Sequence, residues 1–208
     1  LVCESTYGNR EHVPIDQEAE LAPIIRRVAA RGGVIVIPAF AIGRAQALML
    51  HIARLRERKD IPRVPVYLNS PMAINATRHY HAHHSEHHVS EEDCQRMFDV
   101  ATFVNTVEES KALNRQRGPM IIISASGMAT GGRVLHHIEA FGPDDRNAIL
   151  LAGYQAGGTR GAALAAGKRT LRMFGREVPF RAEVVQLEGF SGHADAGELL
   201  DWMRTAPS

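Results

Sequence analysis

Three five-residue runs, VIVIP at Val34–Pro38, MIIIS at Met120–Ser124 and AILLA at Ala148–Ala152, are apolar at nearly every position. A strand with one wet face alternates apolar and polar residues. A run without that alternation is covered on both faces, which calls for helices above and below a parallel sheet. The sequence between the runs supplies amphipathic segments of the right length. Helices are predicted at Ile15–Arg31, Arg44–Arg58, Ala73–His84, Glu91–Phe98, Val107–Gln116, Arg133–Phe141 and Ala196–Arg204. Further strands are predicted at Val64–Leu68, Thr102–Asn105 and Ala182–Leu187. Apolar strands alternating with helices indicate βαβ units, so the fold class is α/β with a buried parallel sheet. The segment TLRMFGREVPF, Thr170–Phe180, reads instead as a hairpin turning around Gly175-Arg176. No repeat, low-complexity tract or linker divides the chain.

At 208 residues the chain is long enough for a substantial core. Its 45% apolar and 23% charged content is that of a soluble globular protein. The net charge of +1 does not announce a nucleic-acid binder. Of the 24 basic residues only Lys59, Lys111 and Lys168 are lysines. Arginine suits bidentate phosphate contacts, but a GC-rich genome produces the same bias, and composition alone favours that explanation. Cys3 and Cys94 form no CxxC pair, which argues against a disulfide framework or a cysteine zinc site and makes a reducing cytoplasm the default. No apolar run approaches the ~20 residues of a membrane span, and no signal-peptide pattern is present. Leu1 is not methionine and LVCESTYG opens like a strand already in progress, so the chain is expected to be part of something longer.

In a parallel α/β sheet, ligands sit beyond the carboxyl ends of the strands. Four predicted strands end there in small and polar residues: AFAIGRAQ, NSPMA, ASGMATGGR and GYQAGGTRG. Together they make one coherent rim. The turn SASGMATGGR (Ser124–Arg133) could cradle a phosphate on its backbone N–H groups, with Arg133 close by; it could equally be a plain turn. It is neither a Walker A loop nor G-x-G-x-x-G. In GYQAGGTRG, Gly157-Gly158-Thr159 permits close backbone approach, with Thr159 as a candidate N-cap. In FSGHADAGEL (Phe190–Leu199), His193 is placed to act as a general acid; the simpler reading is that Ser191 or Asp195 caps the helix. In ESTYGNR, Glu4 either orients a histidine or is an ordinary solvated carboxylate.

The stretch HYHAHHSEHH (residues 79–88) holds six of the eleven histidines. Its H-x-H-x-H-H is one letter from the H-x-H-x-D-H of a dinuclear zinc hydrolase. That motif works on a loop, where an extended backbone fans its ligands around two ions. A helical register instead places His79, His83 and His87 on one face and His84 and His88 on the next. Solvated or partly packed histidines, open to adventitious metal, are the favoured reading over a functional site.

ESTYGNR, IPAFAIGRAQALMLHI, YLNSPMAINAT, SASGMATGGRVLHHIE, LLAGYQAGGTRGAAL and LEGFSGHADAGELLDWM, in that order and spacing, closely resemble the β-CASP group of the metallo-β-lactamase superfamily. This group contains RNA-processing nucleases of the polyadenylation-endonuclease and RNase J types. The resemblance covers nearly the whole chain. It implies a Rossmann-like parallel β-sheet flanked by helices, with short flanking pieces of a metallo-β-lactamase αββα fold. The implied division is 1–14 lactamase fragment, 15–181 β-CASP domain and 182–208 return into the lactamase domain. It makes Glu4 the acidic motif A residue and His193 the motif B histidine, acting together to protonate the leaving oxygen. It implies RNA phosphate contacts from Arg44, Ser124, Ser126, Gly127, Gly131, Gly132, Arg133, Gly157, Gly158, Thr159, Ser191 and Gly192. Two zinc ions belong to the full-length parent, their ligands expected before Leu1 and after Ser208, so no metal ligand is assigned here and the chain alone is expected to be inactive. RNA is the implied partner; the lactamase domain packs against this module, a homodimer is allowed, and no membrane is involved.

Two other readings stay open on the sequence. One is a non-catalytic RNA-binding or scaffold subunit of the same family. The other, motivated by the glycine loops, is a Rossmann-like nucleotide-binding module.

Overall fold

The computed structural model describes residues 2–12 and 14–205. In chain order the elements are α1 (Gln17–Ala30), β1 (Val34–Pro38), α2 (Arg44–Glu57), β2 (Val66–Leu68), α3 (Pro71–Ala82), a 3₁₀ turn (His84–Glu86), α4 (Glu91–Asp99), β3 (Thr102–Phe103), α5 (Val107–Leu113), β4 (Met120–Ser124) and α6 (Arg133–Phe141). There follow β5 (Ala148–Ala152), α7 (Arg160–Ala165), β6 (Thr170–Met173), β7 (Arg176–Pro179), β8 (Glu183–Leu187) and α8 (Ala196–Arg204). Six strands form one parallel sheet in the order β3-β2-β4-β1-β5-β8, while β6 and β7 pair antiparallel.

The apolar runs are covered on both faces, as their lack of alternation requires. Ile35 and Ile37 point into a core formed with α1 to α4, and Val34 and Val36 into a second core formed with α6, Leu164 and the hairpin. Neighbouring side chains of a strand face opposite ways, so one run serves two cores. The chain leaves β1 on the first face toward β2, and leaves β4 on the second face toward β5. Adjacent strands whose connections diverge in this way open a crevice beyond their carboxyl ends. Here it lies past Pro38 and Ser124, between the loops 39–43 and 125–132.

Most element boundaries follow local chemistry. Asp16 caps α1 by accepting from the Glu18 and Ala19 N–H groups at 2.9 and 3.1 Å. α3 begins at Pro71, two residues before the predicted start, because Ser70 caps it and proline suits the first helical position. It ends at Ala82, so His87 is not on the helix, and the expected shared face of His79, His83 and His87 does not form. The hairpin forms where expected, but its tip is Phe174-Gly175, one residue earlier, both at positive φ (49° and 81°). That pair matches the twist of the flanking strands. Strand structure predicted at LVCESTYG is reduced, among its described residues, to one bridge from Tyr7 to Asp195. The six-residue α7 lies where no helix is predicted. No helix among the described residues is long and apolar enough to cross a membrane.

Candidate functional site

Glu4 and His193 lie 189 residues apart in sequence and meet in the fold, His193 Nδ1 standing 2.9 Å from Glu4 Oε2. The backbone brings them together. Ala196 N–H donates to the Arg10 carbonyl at 2.9 Å, and His12 N–H donates to Asp195 Oδ2 at 2.7 Å. Ala194 N–H donates to Glu4 Oε1 at 2.7 Å and Thr6 N–H to Oε2 at 3.2 Å. These donors, the Ala194 N–H foremost, hold the Glu4 carboxyl below its ordinary pKa. An ionised Glu4 only accepts, so His193 carries a proton on Nδ1, and its Nε2 makes no hydrogen bond among the described residues. His193 is half-exposed, with the Tyr7 ring 5.9 Å away and the Arg10 guanidinium 4.8 Å over Tyr7.

The cap reading of FSGHADAGEL also holds, without competing for His193. Asp195 caps α8: its Oδ1 accepts from Glu198 N–H at 2.8 Å, and Glu198 Oε2 accepts in return from Asp195 N–H at 3.0 Å. Ser191 is not the cap; its hydroxyl accepts from His193 N–H at 3.2 Å.

Arg44, Ser191 and Gly192 line one cavity of about 400 Å³ together with Phe40 and His51. The Arg44 guanidinium donates to the Ala152 carbonyl at the end of β5 and lies where any side chain on residue 153 would stand. Partial burial lowers its pKa. Ser191 also borders a larger cavity of about 750 Å³ lined by Tyr7, Arg10, His12, Tyr154 and Gln155.

The glycine loops divide into residues that face outward and residues that fasten the rim. Ser124 has no exposed surface, and its hydroxyl donates to the Asn69 carbonyl at 2.8 Å. The expectation that Ser124 contacts phosphate is corrected on that ground. Arg133 is likewise engaged within the chain, donating to Asn69 Oδ1 (2.9 Å) and to the carbonyls of Val104 (3.1 Å) and Asn105 (2.7 Å). Ser126 Oγ lies 2.9 Å from Thr130 Oγ1. Gly127 packs under Phe40, and Gly132, at φ 77°, leads into α6 where a Cβ would come within 2.8 Å of the Ala125 carbonyl. Gly131, Gly157 and Gly158 have open space where a Cβ would stand. Thr159 caps α7, accepting from Ala162 N–H at 3.1 Å. The two loops are tied by Gly161 N–H to the Met128 carbonyl (3.0 Å) and by Gln155 Nε2 to the Gly127 carbonyl (3.3 Å).

Sequence reasoning missed the buried polar cluster beneath this rim. His137 is fully buried, its Nδ1 2.6 Å from Asn114 Oδ1 and its Nε2 2.6 Å from Asn69 Nδ2. Asn69 Nδ2 also donates to Ser110 Oγ at 2.7 Å. Burial, reinforced by His136 and Arg133, pushes the His137 pKa down to about 4. A neutral ring donating from Nδ1 and accepting at Nε2 satisfies both asparagines. The signal was present: Val134, His137, Ile138 and Phe141 share the i, i+3, i+4, i+7 face of α6, which is the buried one.

Among the described residues, one group of three potential metal ligands converges: His12, Asp195 and Glu198. Both Asp195 oxygens and Glu198 Oε2 already accept backbone N–H groups of the α8 cap. This donor set is a helix cap and does not fit a dinuclear zinc site. In the histidine-rich stretch the ring nitrogens turn to separate partners: His81 to Gln95 (2.7 Å), His83 to Glu86 (3.2 Å) and His87 to the Tyr80 carbonyl (3.0 Å).

Comparison with known proteins adds two family models. Residues 45–164 match the Beta-Casp domain, and residues 177–207 match the Zn-dependent metallo-hydrolase RNA specificity domain. Among similar proteins, Ribonuclease TTHA0252 of Thermus thermophilus is 39% identical over 100% of this chain and 49% of its own length. The RNase J-like protein of Methanocaldococcus jannaschii is 32% identical, with the same coverage of each. Transcription termination factor FttA of Methanosarcina mazei is 32% identical over 98% of this chain and 34% of its own length. The chain thus spans about half or less of these relatives.

Proposed function

This chain belongs to the Beta-Casp domain family, and from that premise we propose that the protein of which it forms part is a zinc-dependent ribonuclease hydrolysing RNA phosphodiester bonds. The observation that carries the reading is the Glu4–His193 pair. Glu4 gathers a histidine ring and one backbone N–H, that of Ala194, from remote chain, and the Thr6 N–H from its own turn. Ionised Glu4 accepts the hydrogen bond from His193 Nδ1 and so orients the ring, leaving the Nε2 side free to donate a proton. As the oxygen of a water molecule bonds to phosphorus and the P–O bond to the departing 3′-oxygen breaks, that proton passes from Nε2 to the 3′-oxygen, giving a 3′-hydroxyl and leaving the 5′-phosphate on the other product. Arg44, Ser191 and Gly192 border the cavity in which the RNA backbone would lie. Ser126, Gly127, Gly131, Gly132, Gly157, Gly158 and Thr159 form the neighbouring rim, and Arg133 holds that rim in place. The zinc of the proposed reaction is not carried by the described residues, and none of these steps runs through it.

In this proposal residues 1–14 and 182–208 connect the RNA-covering module at 15–181 to the metal-binding remainder of the protein. The 208-residue chain alone is then inactive. Incubated with single-stranded RNA and zinc or manganese, it should give no cleavage, and metal-dependent turnover would refute the division of labour. In the complete protein, His193→Ala should lower kcat by about 10²–10⁴-fold while RNA affinity stays within about twofold. A change confined to affinity would remove the general-acid role. The intact acid pair favours this reading over a non-catalytic scaffold subunit.

A further inference from the structure

The hairpin β6–β7 takes no part in the chemistry proposed above. Its inner residues Leu171, Met173 and Val178 pack into the second core, while Thr170 and Arg172 face outward. A groove of about 380 Å³ lies between β6 and the two glycine loops, with Thr130 and Gly158 on one side and Arg160, Lys168 and Arg172 among its lining. No carboxylate lines it. Arg160 spans the groove, donating from Nε to the Arg172 carbonyl at 3.1 Å and from a terminal nitrogen to the Thr130 carbonyl at 3.4 Å. Among the described residues no ion pair neutralises Arg160, Lys168 or Arg172. Glu177 stands opposite Arg172 in the hairpin ladder without pairing with it, and nearby Glu139 is engaged by Arg176 at 2.6 Å. Three cations lining one small groove repel one another unless an anion enters.

A second observation lies at the hairpin tip. Phe174 is 52% exposed at φ 49°, a backbone region that an aromatic residue rarely adopts. Its ring stacks on His136, centroids 4.5 Å apart and planes 12° from parallel. His136 lies in the first turn of α6, which starts at the rim, so the hairpin tip reaches back to the same end of the sheet as the glycine loops. The cations and the exposed ring stack therefore extend one edge. Lys168, Arg172 and Phe174 fall between the segments matched by the two family models.

Unpaired cations beside an exposed flat ring suit a polyanion that carries aromatic bases. An acidic peptide would satisfy the cations but leave the ring stack unused. We infer that the groove and the hairpin tip form a second contact site for single-stranded RNA. Arg160, Lys168 and Arg172 hold successive phosphates there, and a base stacks on the Phe174–His136 pair. This inference rests on the ribonuclease reading and adds a path by which the strand is led across the hairpin, away from His193.

The test measures binding of a fluorescent phosphorothioate oligouridylate, which resists turnover, by the complete protein over a series of salt concentrations. RNA cleavage is assayed in parallel. The double substitution Lys168→Ala, Arg172→Ala should reduce the magnitude of the slope of log K against log salt by about 1.4, at roughly 0.7 per lost phosphate contact on a single strand. Phe174→Ala should weaken binding by about fivefold or more with the slope unchanged. Lys111→Ala, on the exposed side of α5, should change neither. If the wild type binds and cleaves RNA while the double variant keeps its slope and Phe174→Ala its affinity, the inference falls and the ribonuclease reading stands. If the wild type neither binds nor cleaves RNA, both fall. Poly-glutamate binding abolished by the double substitution, with RNA affinity unchanged, assigns the groove to an acidic protein and also overturns the inference.

Discussion

His137 links the buried cluster under the glycine loops to acid stability, and the structure gives the size of the effect. The ring is fully buried between Asn69 and Asn114, and its pKa is pushed from 6.5 down to about 4. A depressed folded-state pKa means that the unfolded chain takes up the proton first. Stability is therefore complete above about pH 6.5 and is lost as pH falls toward 4, at up to about 1.4 kcal/mol per pH unit. Integrated over the window, the loss is about 2 kcal/mol by pH 5 and about 3 kcal/mol by pH 4, relative to pH 8. Carboxylates with lowered pKa values, such as Asp144 at about 2, add their own losses mainly below pH 5, so the interval from 7 to 5 isolates the histidine. His137→Gln keeps one donor and one acceptor in the cluster but does not titrate. Urea unfolding of both forms between pH 7 and 5 should show the wild type losing about 2 kcal/mol more than the variant over that interval. Parallel losses would show that His137 is not held neutral between the two asparagines, and the argument for the cluster would fail.

Gly33→Ala should destabilise the chain by about 3 kcal/mol, because a Cβ there overlaps the Arg146 carbonyl in a buried turn; a melting temperature within a degree of wild type would contradict the packing. Asp195→Ala removes the α8 cap and the acceptor for His12 N–H, so it should cost about 1–2 kcal/mol and expose the segment around residues 4–12 to proteolysis, read by limited digestion. The Glu4 carboxyl should titrate below the ordinary glutamate value by carbon-detected NMR, so its contact with His193 should persist at higher pH and be lost only as pH falls through that lowered value. In the complete protein Glu4→Gln should then lower kcat with little change in KM; an unchanged pH–rate profile would separate Glu4 from the proton transfer.

Six of the seven predicted helices lie within two residues of their observed starts and ends, and three of the six sheet strands fall on their predicted residues. Side-chain caps from Asp16, Ser70, Ser90 and Asp195 mark the starts of four of these helices. The C-terminal boundaries that differ lack such signals. α5 ends at Leu113, three residues before its predicted end, α3 sits two residues earlier than predicted at both ends inside a histidine run that carries no stop residue, and α7 is too short to show a period. The hairpin tip moved because Phe174, a poor residue for positive φ, occupies the position that turn chemistry reserves for glycine or asparagine.

The sequence alone determined the buried parallel sheet, since only helices on both faces satisfy runs like VIVIP, and it placed the small and polar residues at the strand ends. It also supplied Glu4 and His193 as candidates. Only the tertiary structure decided which candidates meet. The Glu4–His193 contact spans 189 residues and depends on Tyr7, Arg10 and His12 docking on the α8 cap, which no local pattern encodes. The same holds for Ser124 and Arg133, polar residues in a glycine loop that read locally as phosphate contacts. Packing turned both inward, because the buried Asn69 amide and the strand-end carbonyls need hydrogen-bond partners more than the open rim does.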